Sequence, residues 1–138
     1  MDELFEQKPI VIDYLIYCDG ASGGNTNDVK TDYAGIGVVI KDSCKKIVKK
    51  VSKRIGLATN NEAEWQGLIC AIETAKDMGG SKIKIYSDSQ LVVNMFNGCW
   101  TGKDERMKRY RDEAREKAKD FEYVKAEWIP REKNELAD

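Results

Sequence analysis

The sequence contains no histidine, and this absence excludes several kinds of active site. Histidine is the usual general acid or base near neutral pH and a common metal ligand, so imidazole catalysis and histidine–metal sites are both ruled out. The cysteines are widely separated and include no Cys-x-x-Cys pair, which argues against a zinc site. They are Cys18, Cys44, Cys70 and Cys99. We expect free thiols. One disulfide is the alternative that the sequence allows.

The chain also lacks a long apolar run and a large net charge. No stretch is long and apolar enough to cross a membrane, and the first residues are acidic and polar, which argues against a signal peptide. We therefore expect a cytoplasmic protein with no membrane partner. Because the formal net charge is only −1, a nucleic-acid partner would be bound by local patches of charge.

The residues that are present describe an ordinary globular protein. The chain has 138 residues, of which 41% are hydrophobic and 34% charged, so it is long enough to bury a core. We expect residues 1–9 to form an N-terminal leader and residues 10–138 to form a single domain.

Hydrophobic periodicity predicts five strands and three helices. The strands are expected at residues 10–19, 34–41, 45–55, 82–87 and 124–128. The helices are expected at about residues 59–78, 89–97 and 104–120. Short connections join the first three strands, which indicates an antiparallel meander, and the helix after them indicates a crossover. The predicted fold is α/β, a five-stranded mixed sheet flanked by helices.

The third predicted strand is rich in basic residues. They are Lys45, Lys46, Lys49, Lys50, Lys53 and Arg54. Lysines on an edge strand commonly discourage edge-to-edge aggregation, and this is the simpler interpretation. Contact with a phosphate backbone is the alternative.

Three isolated carboxylates stand at notable places in this arrangement. Asp19 and Asp88 each follow an apolar strand, and Glu64 lies beside the core-facing stripe in the first turn of the first helix. Each has an ordinary explanation, since aspartate caps turns and helices and glutamate favours a helix N-terminus. If the first and fourth strands are parallel neighbours, however, Asp19 and Asp88 emerge side by side, and Glu64 could lie over them.

A cluster of this kind would need neutralisation. Carboxylates about 4 Å apart repel by roughly 4 kcal/mol per pair at an effective dielectric constant near 20. The groups must therefore be protonated or bind cations. Oxygen ligands without histidine or paired cysteine favour Mg²⁺ or Mn²⁺.

Four motifs, in this order, resemble those of type 1 ribonuclease H. They are Asp19-Gly20, Thr59-Asn60-Asn61-Glu62-Ala63-Glu64, Tyr86-Ser87-Asp88-Ser89-Gln90 and Arg131-Glu132-Lys133-Asn134-Glu135-Leu136-Ala137-Asp138. The likeness extends from about Tyr14 to the C-terminus. It is closest to the branch that lacks a basic protrusion and ends in Arg-x-x-Asn-x-x-x-Asp.

The resemblance implies a ribonuclease H-like fold and an endoribonuclease that hydrolyses the RNA strand of RNA/DNA hybrids, leaving 5′-phosphate and 3′-hydroxyl ends. The implied catalytic residues and metal ligands are Asp19, Glu64, Asp88 and Asp138, holding two Mg²⁺ or Mn²⁺ ions. The implied substrate-binding residues are Asn25, Thr59, Asn60, Asn61, Ser89, Gln90, Arg131 and Asn134. Of these, Asn25, Asn61 and Gln90 match minor-groove contacts, and Thr59 matches a contact to a DNA-strand phosphate.

The sequence departs from some members of that family. Residues 98–103 are too few for a basic protrusion, so we expect weak, strongly salt-sensitive binding of hybrids. No histidine precedes the final aspartate, and Arg131 or Lys133 is expected to substitute for it in part. We expect a monomer. The alternative function is a non-catalytic module of the same fold that binds hybrid or double-stranded RNA.

Overall fold

A computed structural model describes residues 9–22, 33–134 and 136–137. The elements, in chain order, are β1 (Tyr14–Ser22), β2 (Tyr33–Asp42), β3 (Ile47–Leu57), α1 (Asn60–Asp77), β4 (Lys82–Ser87), α2 (Gln90–Phe96), α3 (Glu105–Ala118), β5 (Tyr123–Trp128) and a 3₁₀ turn at Arg131–Lys133. Apart from Pro9, the expected N-terminal leader lies outside the described residues.

The strands form one sheet in the order β3-β2-β1-β4-β5. Strand β1 pairs antiparallel with β2, and β2 pairs antiparallel with β3. Strand β4 lies parallel to β1 on one side and parallel to β5 on the other. The predicted five-stranded mixed sheet with a crossover through α1 is therefore confirmed.

Two of the strands have boundaries that differ from the prediction. Strand β1 begins at Tyr14 rather than at residue 10, and it continues past Asp19 to Ser22 because β2 pairs with it that far. Strand β3 begins at Ile47, because the chain turns before it and Lys45 has a left-handed backbone with φ of 66°. Strand β3 lies at the edge of the sheet, which agrees with the simpler interpretation of its lysines.

All three helices share one hydrophobic core with the sheet. Along α1 the buried stripe includes Trp65, Leu68 and Ile72, which follow the helical period. They belong to the same core as inward-facing strand residues such as Ile16 and Ile85. This packing fixes α1 over β1, and so determines where the first turn of α1 meets the sheet.

Two further sequence predictions can be compared with the structure. Every cysteine is a free thiol, as expected. Within the described ranges, no helix is both long enough and apolar enough to cross a membrane.

Candidate active site

The parallel pairing of β1 and β4 brings two of the predicted carboxylates to the same end of these two central strands. The last paired residues are Tyr17 and Tyr86, and their rings stack with centroids 4.9 Å apart. Asp19 and Asp88 each follow two residues later along their own chain segments. Because parallel strands run in the same direction, this equal offset places both aspartates beyond the same end of the pairing.

Glycine allows α1 to approach β1 closely at this end. A Cβ atom on Gly20 would lie 2.1 Å from the carbonyl oxygen of Ala63, and one on Gly67 would lie 2.9 Å from that of Asp19. A larger residue at either place would separate the helix from the strand. The close approach brings Glu64 over Gly20, in the C-terminal half of β1.

The three carboxylates form one cluster. Ligand oxygens of Asp19, Glu64 and Asp88 all lie within 4.8 Å of one another. The backbone N–H of Gly20 donates to Oδ1 of Asp19 and to Oε1 of Glu64, both at 2.9 Å. The predicted convergence of these carboxylates is therefore present in the structure.

The cluster is costly to charge without a cation. Asp19 is only 7% exposed. Burial raises the pKa of Glu64 to about 9, and the charges of Asp19 and Asp88 raise it further. The hydrogen bond from the Gly20 N–H acts in the opposite direction and lowers it. Burial likewise raises the pKa of the Cys18 thiol, and the charges of the three carboxylates add to this effect. A protonated Glu64 or bound cations would relieve the repulsion, and an all-oxygen donor set suits hard divalent ions.

A cleft of about 330 Å³ opens onto the cluster and contains three of the predicted substrate-binding residues. They are Asn60, Asn61 and Arg131. The Oδ1 atom of Asn60 accepts a hydrogen bond from the backbone N–H of Ser22 at 2.6 Å, which fixes the amide beside the end of β1. Asn61 and Arg131 line the same cleft, which leaves amide and guanidinium groups beside the carboxylates.

The residues that begin α2 lie next to Asp88. The Ser89 hydroxyl accepts from the backbone N–H of Val92 and caps the helix, and Gln90 is exposed at its first position. Capping accounts for Ser89 without a substrate, whereas the amide of Gln90 is accessible.

Two predicted substrate-binding residues are buried in the structure. Thr59 is 1% exposed, and its hydroxyl accepts from the backbone N–H of Glu62 to cap α1. Asn134 is also 1% exposed, and its Nδ2 donates to the carbonyl oxygen of Cys18 at 2.9 Å. Both side chains are enclosed by protein and make hydrogen bonds within it. The predicted residues Asn25 and Asp138 lie outside the described part of the chain.

The sequence analysis missed the part played by Gly20. Its N–H joins two carboxylates, and its missing side chain admits α1. The Asp19-Gly20 pair was the available signal, but its meaning depends on the position of α1.

Comparisons with known proteins agree with this geometry. The family profile described as reverse transcriptase-like matches residues 19–138. The crystal structure of RNase H1 from the halophilic archaeon Halobacterium salinarum superposes with a TM-score of 0.84 at 38% identity, covering 91% of each chain. The chain belongs to the type 1 ribonuclease H family.

Two further matches extend the comparison. Ribonuclease HI of Halobacterium salinarum is 39% identical over 122 residues, which is 88% of this chain but 59% of that protein. The chain thus spans little more than half the length of this relative. LC11-RNase H1, whose structure holds an RNA/DNA hybrid, superposes with a TM-score of 0.79 at 31% identity, covering 90% of this chain and 93% of its own.

Proposed function

We propose that this chain is an endoribonuclease that hydrolyses the RNA strand of RNA/DNA hybrids and leaves 5′-phosphate and 3′-hydroxyl ends. The observation that carries the proposal is the cluster of Asp19, Glu64 and Asp88, with carboxylate oxygens within 4.8 Å of one another. Its family membership supports the proposal, as does the hybrid held by LC11-RNase H1.

Asp19, Glu64 and Asp88 would hold the divalent cations, which we propose to be two Mg²⁺ or Mn²⁺ ions. The donor set suits hard cations, and the chain offers no histidine as an alternative. Asp138 is proposed as the fourth ligand. When bound, such ions supply Lewis-acid stabilisation of phosphate charge and an activated water.

The surrounding residues would bind and orient the hybrid. Asn60, Asn61 and Gln90 present amides, which both donate and accept hydrogen bonds and can reach the 2′-hydroxyls that distinguish RNA from DNA. Arg131, exposed at the mouth of the cleft, would pair with a phosphate. Asn25 remains a proposed minor-groove contact. A monomeric state and a cytoplasmic location also remain predictions.

A non-catalytic module that binds hybrid or double-stranded RNA is the competing function. Three carboxylates facing the phosphates of a nucleic acid would weaken binding unless cations neutralise them, so the cluster favours an enzyme. A labelled hybrid incubated with the protein and Mg²⁺, Mn²⁺ or EDTA separates the two. Metal-dependent cutting is expected, and binding without cutting would support the module.

The variant Asp88→Asn gives the sharper test. It keeps the shape of the side chain but removes a negative ligand, so we expect cleavage to be abolished while the melting temperature changes little. The control is Asp77→Asn, because Asp77 is exposed near the C-terminal end of α1 and lines no part of the carboxylate cleft. Substantial cleavage by Asp88→Asn would refute the proposed ligand role.

A further inference from the structure

Trp128, the last residue of β5, combines exposure with a directed hydrogen bond. The residue is 44% exposed, yet its indole Nε1–H donates to the main-chain carbonyl oxygen of Asp88 at 3.1 Å. Water could satisfy an indole N–H at so exposed a position. The protein partner is therefore not needed to avoid a buried, unpaired donor, and another reason for the contact must be sought.

That reason lies in the position of Asp88 between two elements. Strand β4 ends at Ser87 and α2 begins at Gln90, so neither the sheet ladder nor the helix includes Asp88. The residues on either side are fixed: the Ser87 carbonyl accepts from the Ile129 N–H at 2.9 Å, and Ser89 caps α2. The indole of Trp128 supplies a donor to the carbonyl of Asp88 itself.

We propose that Trp128 is a positioning residue for Asp88. Its N–H holds the Asp88 peptide in one orientation, and this directs the carboxylate toward Asp19 and Glu64. Groups that orient metal ligands from outside the coordination sphere typically affect metal affinity or activity by about 10- to 100-fold. The inference rests on the proposed function, because it assumes that Asp88 holds a cation.

The exposed ring permits a competing interpretation, in which Trp128 stacks on the substrate. The two interpretations depend on different parts of the side chain. Stacking needs the aromatic face and would change the KM for the hybrid. Positioning needs the N–H and would change the affinity for the cation, even with no substrate present.

The test is Trp128→Phe, which keeps an aromatic ring and removes the N–H. Calorimetry measures Mg²⁺ and Mn²⁺ binding to the substrate-free protein, and cleavage assays measure the half-saturating Mg²⁺ concentration and the KM for the hybrid. We expect cation affinity to fall about 10-fold and the half-saturating concentration to rise correspondingly, with KM unchanged. Saturating Mg²⁺ should restore most of the cleavage rate.

The matched control is Trp100→Phe. Trp100 is 46% exposed and lies between α2 and α3, so this variant makes the same chemical change at similar exposure. Its cation affinity should equal that of the wild type. Thermal melting should show that both variants remain folded; if Trp128→Phe does not, Trp128→Tyr replaces it.

Three outcomes are decisive. Unchanged cation affinity in Trp128→Phe overturns the proposal, and a raised KM with unchanged cation affinity establishes stacking instead. If the wild type binds the cations but does not cut hybrids, the proposed function fails while the calorimetric comparison of Trp128 still stands.

Discussion

The side-chain amide of Asn134 connects the segment after β5 to β1, the strand that contains Asp19. Its Nδ2 donates to the carbonyl oxygen of Cys18, one residue before that aspartate, and the side chain is 1% exposed. Its Oδ1 is buried and has no hydrogen-bond partner among the described residues. The Nδ2 group of Asn134 is therefore the part of the amide that stabilises the fold.

We expect Asn134→Ala to lower the free energy of unfolding by about 1–3 kcal/mol, because the buried carbonyl of Cys18 loses its donor. Asn97→Ala is the control, since Asn97 Nδ2 also donates to a backbone carbonyl, that of Ala126 at 3.0 Å, but from an exposed residue. Its loss should be about 1 kcal/mol or less, because this bond is only partly buried. Urea denaturation measures both, and equal losses would contradict the structural role of Asn134.

For individual residues, the sequence predicted well which side chains lie at the site. It predicted less well the contacts that each side chain makes. The carboxylates could be anticipated because each lies near the start or the end of a recognisable element. The burial of Thr59 and Asn134 could not be predicted, because it depends on chain segments that are distant in sequence. The bond from Trp128 to Asp88 is likewise a product of strand pairing, and no local pattern signals it.

The start of α1 was predictable as an element. Thr59 and Glu62 form a capping box, in which the Thr59 hydroxyl accepts from the N–H of Glu62 and the Glu62 carboxylate accepts from the N–H of Thr59. Glu64 lies in the same part of the helix. The cap therefore contributes to the position of the carboxylate that α1 brings to the site.

We expect Thr59→Ala to lower the free energy of unfolding by about 1 kcal/mol, with no change in the KM for a hybrid. The physical reason is that the substitution removes a cap but no surface group, since Thr59 is only 1% exposed. Thr59→Ser keeps the hydroxyl and is the control, which should retain the stability of the wild type. A raised KM with unchanged stability would support the predicted phosphate contact instead.

The end of β1 shows why element boundaries were harder to predict. The turn residues after Asp19 suggested that the strand stopped there, yet β2 pairs with β1 as far as Ser22 opposite Ala34. Register with a neighbouring strand depends on residues far along the chain. Asp19 consequently lies within a strand, where the ladder holds its main chain, whereas Asp88 lies beyond one.

Across the whole molecule, the absence of histidine makes the charge state of the site unusually easy to observe. No imidazole titrates between about pH 5 and pH 8. Asp13, Asp104 and Glu127 have pKa values lowered by hydrogen bonds, so the stability they contribute is constant above their ordinary pKa values and is lost only in more acidic solution. Glu64, with its pKa raised to about 9, titrates above them.

Metal-free protein should therefore lose stability as the pH rises. The folded protein retains a proton on Glu64 that the unfolded chain, with an ordinary glutamate pKa of 4.5, has already released. This contribution is complete below the unfolded pKa and is lost as the pH rises toward the folded pKa of about 9. In EDTA, we expect the melting temperature to be lower at about pH 8.5 than at about pH 5.5.

Glu64→Gln separates this effect from other causes, because the amide resembles a permanently protonated carboxyl group. In EDTA the variant should show a flatter pH dependence and should exceed the wild type in stability at about pH 8.5. Mg²⁺ should narrow the difference, since a cation at 100 times its Kd stabilises the folded wild type by about 2.7 kcal/mol and the variant lacks one ligand. A wild type that is equally stable in EDTA at both pH values would contradict the raised pKa, and equal Mg²⁺ stabilisation of both proteins would remove Glu64 from the proposed ligands.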